Sequence, residues 1–110
     1  MAKKLDDVQK TERQNEYGIM YGSILTVHVV EARDLAPMDM NGSSDPYVRL
    51  MIEEQIIETN FKKNTLNPVW NESFTFDITT GNEPLRIVIM DKDTFGNDDF
   101  EGQCEVSLKG

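Results

Sequence analysis

The sequence has one cysteine, one histidine and no long apolar run, and each of these shortages excludes a class of protein. A single cysteine among 110 residues cannot form a disulfide within the chain. One cysteine and one histidine also cannot supply the ligand cluster of a zinc site. Apolar residues make up 38% of the chain but occur in short runs, far below the roughly 18–20 residues that span a bilayer. The length predicts one small domain with its own hydrophobic core.

Positive charge is scarce as well. The chain has 11 Lys and Arg against 20 Asp and Glu, a net charge of −9 and an isoelectric point near 4.4. Such a surface repels the phosphate backbone, so we expect no nucleic-acid partner. The first residues lack the apolar segment of a secretory signal, which favours a cytoplasmic location.

The negative charge is unevenly distributed along the chain. Residues 1–21 contain four basic and four acidic side chains, and few apolar residues that could bury a face. We interpret this segment as a charged N-terminal arm or linker. The remaining residues, 22–110, carry the whole net charge and are predicted to form one β-sandwich domain.

Alternation of apolar and polar residues begins after Gly22 and predicts strands. Turn signals such as Asn41-Gly42 and Asn67-Pro68 separate these runs, and none of the runs has a helical period. Short strands at this spacing are typical of an antiparallel β-sandwich. The predicted strands cover residues 25–30, 47–52, 56–61, 74–78 and 85–90, with a sixth beginning at 105.

The aromatic and cysteine positions give expectations about the core. Trp70, Phe74 and Phe76 lie in or beside the fourth run, where alternating aromatic side chains are typical of core packing. Cys104 is predicted to be a small buried residue of the last strand.

Two acidic loops are the candidate functional segments. The first loop covers residues 37–45, and the second covers residues 91–99, where four carboxylates occur with one lysine. Both loops follow predicted strands, so their side chains could meet at one end of a sandwich. Crowded carboxylates in flexible loops suit Ca²⁺, which binds oxygen ligands. The alternative is that both are simply solvated acidic turns, since Asp, Asn and Gly are common in turns.

An EF-hand is a second way to bind calcium with such a loop, and the residues argue against it. Asp91, Asp93 and Gly96 match three positions of the EF-hand pattern. Phe95 and Gly102, however, occupy positions where that pattern requires oxygen ligands. The flanking segments are also strand-like, whereas an EF-hand requires helices.

Taken together, several motifs resemble the C2 domains, a family that binds calcium and phospholipid. The resemblance covers roughly residues 22–108. It rests on Leu25-x-Val27-x-Val29-x-x-Ala32-x-x-Leu35, Asp39, Ser44-Asp45-Pro46-Tyr47-Val48, Asn64-Thr65-Leu66-Asn67-Pro68-Val69-Trp70-Asn71-Glu72, Phe74-x-Phe76, Asp91-x-Asp93 and Asp99-Phe100-x-Gly102.

The resemblance implies a fold and a set of calcium ligands. The fold is an antiparallel Greek-key β-sandwich of C2 type, and the site holds about two Ca²⁺ ions. Asp98 matches no ligand position and has no assigned role. The implied ligands are the side chains of Asp39, Asp45, Asp91, Asp93 and Asp99 and the backbone carbonyls of Met38 and Lys92.

The resemblance also implies a membrane-binding function. When calcium neutralises the loop carboxylates, the domain is expected to dock on anionic phospholipid membranes and so become peripheral as calcium rises. Met40 and Phe95 match positions that enter the bilayer interface in membrane-binding relatives; the alternative is that they pack locally. His28 has no nucleophile or acid partner in a catalytic pattern, so we expect neither catalysis nor a small-molecule substrate.

A different function follows from the position where the chain ends. It stops after what resembles the seventh strand of an eight-stranded fold, so the last strand is expected to be missing. The open sheet edge would then be available to a protein partner. The alternative function is a protein-interaction scaffold or a small subunit of a larger assembly. Calcium binding would then be structural or vestigial, and a partner would supply the missing strand.

Overall fold

A computed structural model of the chain describes residues 22–38, 40 and 42–108. The arm predicted for residues 1–21 lies outside the described residues. Within the described part the chain forms six strands and no helix, so no helix there is long and apolar enough to cross a membrane. The strands are β1 (Ile24–Glu31), β2 (Pro46–Ile52), β3 (Gln55–Glu58), β4 (Val69–Asp77), β5 (Leu85–Asp91) and β6 (Asp99–Val106).

The strands form two antiparallel sheets. One sheet has the order β3-β2-β5-β6, and the other pairs β1 with β4. Consecutive strands β1 and β2 belong to different sheets, and so do β3 and β4, so the chain crosses between the layers. The predicted all-β sandwich of two antiparallel sheets is confirmed.

The core lies between the sheets because the inward positions of both are apolar. Leu50 of β2 is fully buried, and its neighbours in the cluster come from β2, β4, β5 and the residue directly after β4. Trp70 and Phe76 are buried as predicted, and Phe74 is half-buried and packs against the same cluster. The buried cluster consists of Val48, Leu50, Ile52, Trp70, Phe76, Ile78 and Leu85.

Three strand boundaries differ from the sequence-based prediction by more than one residue. Strand β3 ends at Glu58, although the chain beyond it still follows β2 through the bond from the Lys62 amide to the Pro46 carbonyl, 2.9 Å. Strand β4 begins at Val69, five residues before the predicted start. Strand β6 begins at Asp99, where it pairs with the last residue of β5.

The prediction that Cys104 is buried is wrong. Cys104 is exposed, together with most of β6. The reason is that β6 forms the outer edge of the four-stranded sheet in the described part of the chain, and no second layer covers that edge there.

A carboxylate anchors the end of the sandwich opposite the acidic loops. Glu53 lies in the tight β2–β3 turn with a positive φ of 47°. Its side chain accepts backbone N–H bonds from Thr79, Thr80 and Gly81 at 2.6, 3.1 and 2.8 Å. Partial burial acts to raise the pKa of Glu53, but these bonds together outweigh it, so the pKa lies below its ordinary value of 4.5.

We expect Glu53→Ala to lower the free energy of unfolding by about 1–2 kcal/mol at neutral pH, because three amides lose a charged acceptor. The lowered pKa means that the carboxylate stabilises the fold above its unfolded-state pKa and loses this effect as pH falls through the folded value. The difference between wild type and variant should therefore shrink below about pH 4. Urea unfolding at several pH values measures both effects.

Glu54→Ala is the matched control, because Glu54 lies in the same turn and also has a positive φ, 69°. Alanine retains the Cβ at either position. Equal losses in both variants would contradict an anchoring role for Glu53.

Candidate functional site

The sheet register brings the two acidic loops to one end of the sandwich. The first residue of β2, Pro46, pairs with the last residue of β5, Asp91. Asp91 pairs in turn with Asp99, the first residue of β6. The loop that precedes β2 and the loop that joins β5 to β6 therefore meet beside these three strand ends.

Hydrogen bonds of Asp91 and Asp45 join the start of β2 to the end of β5. The Asp91 side chain is 2% exposed, and its Oδ1 accepts the amide N–H of Asp45 at 2.8 Å. The backbone carbonyl of Asp45 accepts the amide N–H of Lys92 at 2.9 Å. The side-chain Oδ1 of Asp45 accepts the amide N–H of Asn64 at 2.7 Å. Backbone donors therefore fix both side chains in place.

Asp93 and Asp99 are the exposed carboxylates of the second loop. The Oδ1 of Asp93 accepts the amide N–H of Phe95 at 2.9 Å, which ties this candidate ligand to the loop tip. A Cβ placed on Gly96 would lie 3.2 Å from the Oδ2 of Asp93, so the loop packs closely around this carboxylate.

Asp98 connects the second loop to the sheet, a role that the sequence did not assign. Its Oδ1 accepts the amide N–H of Asp93 at 2.9 Å, and its Oδ2 accepts the hydroxyl of Tyr47 at 2.5 Å. The Nζ of Lys92 lies 3.9 Å from the same Oδ2. The Tyr47 hydrogen bond, with that from Asp93, lowers the pKa of Asp98. Burial, and then the bond to Asp98, raise the pKa of Tyr47 to about 12.

A second long-range contact joins β6 to the first loop. The fully buried Ser44 donates its hydroxyl to the carboxylate of Glu101. Glu101 is the extra residue of a bulge, since Ile89 pairs with Gly102 while Met90 pairs with Phe100. No local pattern in the sequence signals this contact, because the two partners are 57 positions apart.

The remaining predicted site residues belong to the first loop and the loop tips. Asp39 lies outside the described residues. The amide of Met38 donates to the Ser43 carbonyl at 2.9 Å, which closes the first loop. Met40 and Phe95 are fully exposed, so neither side chain packs against the rest of the described structure. The alternative of local packing is therefore disfavoured for both.

The donor set at this end has the chemistry of a calcium site, although it is incomplete in the described residues. The four described carboxylates and the nearby carbonyls are all oxygen donors, as Ca²⁺ requires. No group of three or more acidic, histidine or cysteine side chains in the described part is arranged so that it could hold a metal ion. The suitability of this end for calcium therefore depends on the chemical type of the donors and on their location at the same end of the sandwich. These donors are Asp45, Asp91, Asp93 and Asp99.

A shallow groove of about 260 Å³ adjoins the second loop. Its two cations are each beside an acid: Arg49 bonds Glu58 at 2.6 Å, and Lys92 lies near Asp98. The groove therefore presents little excess positive charge. Its lining residues are Tyr47, Arg49, Glu58, Thr59, Asn60, Phe61, Lys92 and Asp98.

The fold and its acidic loop end define the chain as a β-sandwich module whose candidate site lies in its loops. The family model described as "C2 domain" matches residues 23–110. The chain belongs to the C2 domain family.

Similar proteins support this membership. A C2 and GRAM domain-containing protein of Arabidopsis thaliana is 49% identical over 84 residues, which is 76% of this chain and 8% of that protein. Synaptotagmin-7 of Mus musculus is 43% identical over 95 residues, covering 77% of this chain and 23% of that protein. The calcium-bound structure of the C2A and C2B domains of extended synaptotagmin 2 has a TM-score of 0.72 at 30% identity. That match covers 81% of this chain and 35% of that chain. The chain thus spans less than a quarter of the length of these two sequence relatives.

Proposed function

We propose that this chain is a calcium-binding module that docks on anionic phospholipid membranes. The observation that carries the proposal is the combination at one end of the sandwich: the two loops that contain the oxygen donors also contain two fully exposed apolar side chains, Met40 and Phe95. A solvated acidic turn does not require exposed apolar tips, whereas a membrane-docking loop does. The calcium-bound structure of the extended synaptotagmin 2 domains supports the same function.

In this proposal each group of residues has a separate task. The side chains of Asp39, Asp45, Asp91, Asp93 and Asp99, with the carbonyls of Met38 and Lys92, would hold about two calcium ions. Calcium would supply positive charge and coordination positions for lipid phosphate oxygens.

Without metal, the four described carboxylates oppose an approach to an anionic bilayer. The backbone bonds to Asp45 and Asp91 keep the donors in place, so the change is mainly electrostatic. Met40 and Phe95 would enter the interface once the repulsion is removed. The module would thus be cytoplasmic at rest and peripheral on membranes when calcium rises, with no catalytic step.

Calorimetric titration of the chelator-treated chain with calcium tests the proposal. We expect saturable calcium binding that becomes tighter when vesicles containing phosphatidylserine are present, because lipid and calcium then complete one site. Vesicles of phosphatidylcholine alone are the control for non-specific insertion.

A folded chain that binds no calcium under either condition would refute the calcium module. An oligomer that persists in chelator, seen by light scattering, would instead favour the assembly scaffold.

A further inference from the structure

Asp98 is an acidic residue of the second loop that is absent from the proposed ligand set, yet both of its oxygens have protein partners. The Oδ1 accepts the amide of Asp93 and the Oδ2 accepts the hydroxyl of Tyr47, at 2.9 and 2.5 Å. We propose that Asp98 and Tyr47 are positioning residues that hold the second loop in the conformation in which Asp93 presents its carboxylate to calcium. The inference rests on the proposed function and adds two residues to it.

The two ends of this connection differ in how firmly they are held. Tyr47 is 5% exposed and belongs to β2, an interior strand of the four-stranded sheet. The loop residues from Lys92 to Asn97 are all exposed. A hydrogen bond from this buried hydroxyl of the sheet therefore restrains a loop that has little packing of its own.

The contact acts directly on a proposed ligand. Asp98 accepts the backbone amide of Asp93, and the Asp93 carboxylate in turn accepts the amide of Phe95. Fixing the Asp93 backbone therefore fixes the origin of its side chain. A loop ordered before calcium arrives reduces the conformational entropy that binding must overcome.

The same geometry indicates that Asp98 has a different function from the proposed calcium ligands. A carboxylate whose two oxygens already accept protein hydrogen bonds, and which has Lys92 Nζ 3.9 Å away, serves the loop rather than the ion. Tyr47 makes the distinction testable, because Tyr47→Phe removes one hydroxyl and changes no charge at neutral pH.

The first measurement needs no calcium. Amide hydrogen exchange at Asp93, followed by NMR in chelator, should be faster in Tyr47→Phe and faster still in Asp98→Ala than in wild type. Asp98→Asn should keep most of the protection, since its amide oxygen can still accept the Asp93 N–H. Asp77→Ala, an exposed change at the far end of β4, is the control and should leave the Asp93 amide unchanged.

The second measurement is the calcium affinity of the same variants. We expect Tyr47→Phe to weaken calcium binding roughly three- to tenfold, the equivalent of one lost hydrogen bond. Asp98→Ala should weaken it at least as much, and Asp98→Asn should bind more tightly than Asp98→Ala. Because both residues act through one contact, the double variant should bind no more weakly than Asp98→Ala alone.

The outcomes distinguish this inference from the proposed function. A wild-type chain that is folded and binds no calcium overturns the proposed function, and the positioning role with it, whatever the exchange data show. A wild-type chain that binds calcium while Tyr47→Phe matches it in affinity and in Asp93 exchange overturns the positioning role alone. Equal loss in Asp98→Asn and Asp98→Ala also overturns it, because the charge rather than the hydrogen bond would then matter.

Discussion

Asp93→Asn is expected to weaken calcium binding severely while leaving the fold intact. Asparagine has nearly the same shape, and its amide oxygen can still accept the Phe95 amide that the Asp93 Oδ1 accepts at 2.9 Å. The loop conformation is therefore retained, and the change removes one negative charge from the proposed site. Because calcium affinity depends on the number of charged oxygen ligands, we expect a loss of roughly a hundredfold or more.

Calorimetry on the chelator-treated variant measures this loss, and circular dichroism establishes that the variant is folded. Asp77→Asn is the matched control: it removes the same charge from an exposed position at the far end of β4. Calcium binding that is equally weakened in the control would indicate a general effect of net charge. Unchanged binding in Asp93→Asn would remove Asp93 from the ligand set.

Asp91→Asn is a poorer test of the same idea. Asp91 is 2% exposed and accepts the Asp45 amide, so its change would disturb the junction of β2 and β5 as well as the site. Loss of calcium binding there would not separate a ligand from a structural carboxylate. The exposure of Asp93 is what makes its substitution informative.

The sandwich could be predicted from the sequence because its strands carry their pattern locally. Leu25, Val27 and Val29 alternate with polar or exposed positions, and the structure packs them as partly buried residues against the core. Such alternation depends on residues two positions apart, so it can be recognised without knowing which strands pair.

Strand β6 could not be delimited in the same way. Its first residues, Asp99 to Gly102, combine a charged start, a bulged Glu101 and a glycine, and they follow no alternation. They form a strand because β5 offers pairing partners, which is information from another part of the chain. The wrong prediction for Cys104 has the same origin, since alternation does not reveal whether a second layer covers an edge strand.

The candidate site shows the same division between local and distant information. The positions of Asp45, Asp91, Asp93 and Asp99 in two loops could be read from motifs. The bond between Tyr47 and Asp98 joins residues 51 positions apart, and the anchor formed by Glu53 reaches 26 to 28 residues along the chain. No spacing rule predicts such contacts, because the sheet topology creates them.

Phe95→Ala is expected to weaken calcium-dependent binding to phosphatidylserine vesicles roughly tenfold to a hundredfold. Phe95 is 99% exposed, so its substitution should cost the folded chain little, whereas burying a side chain of this size stabilises a docked state by about 1.5–3 kcal/mol. Vesicle sedimentation across a calcium series measures the effect.

Two further variants sharpen this test. Ile56→Ala is the control, since Ile56 is 63% exposed on β3, away from the loop end, and should leave vesicle binding unchanged. Phe95→Trp should retain binding, and its added emission should shift to shorter wavelength when calcium and vesicles are both present. Emission that does not shift would mean that the loop tip stays in water.

The effect of Phe95→Ala on calcium binding shows whether Phe95 acts by entering the membrane or by holding the calcium ligands in place. Without vesicles, calcium affinity should match wild type, because the Phe95 side chain is not a ligand and its backbone amide, which bonds Asp93, is retained. With vesicles, the gain in calcium affinity should shrink, because linkage requires calcium and membrane to strengthen each other by the same factor. A variant that loses calcium affinity without vesicles would show that Phe95 acts on the loop, and the loop tip would then have no separate role at the membrane.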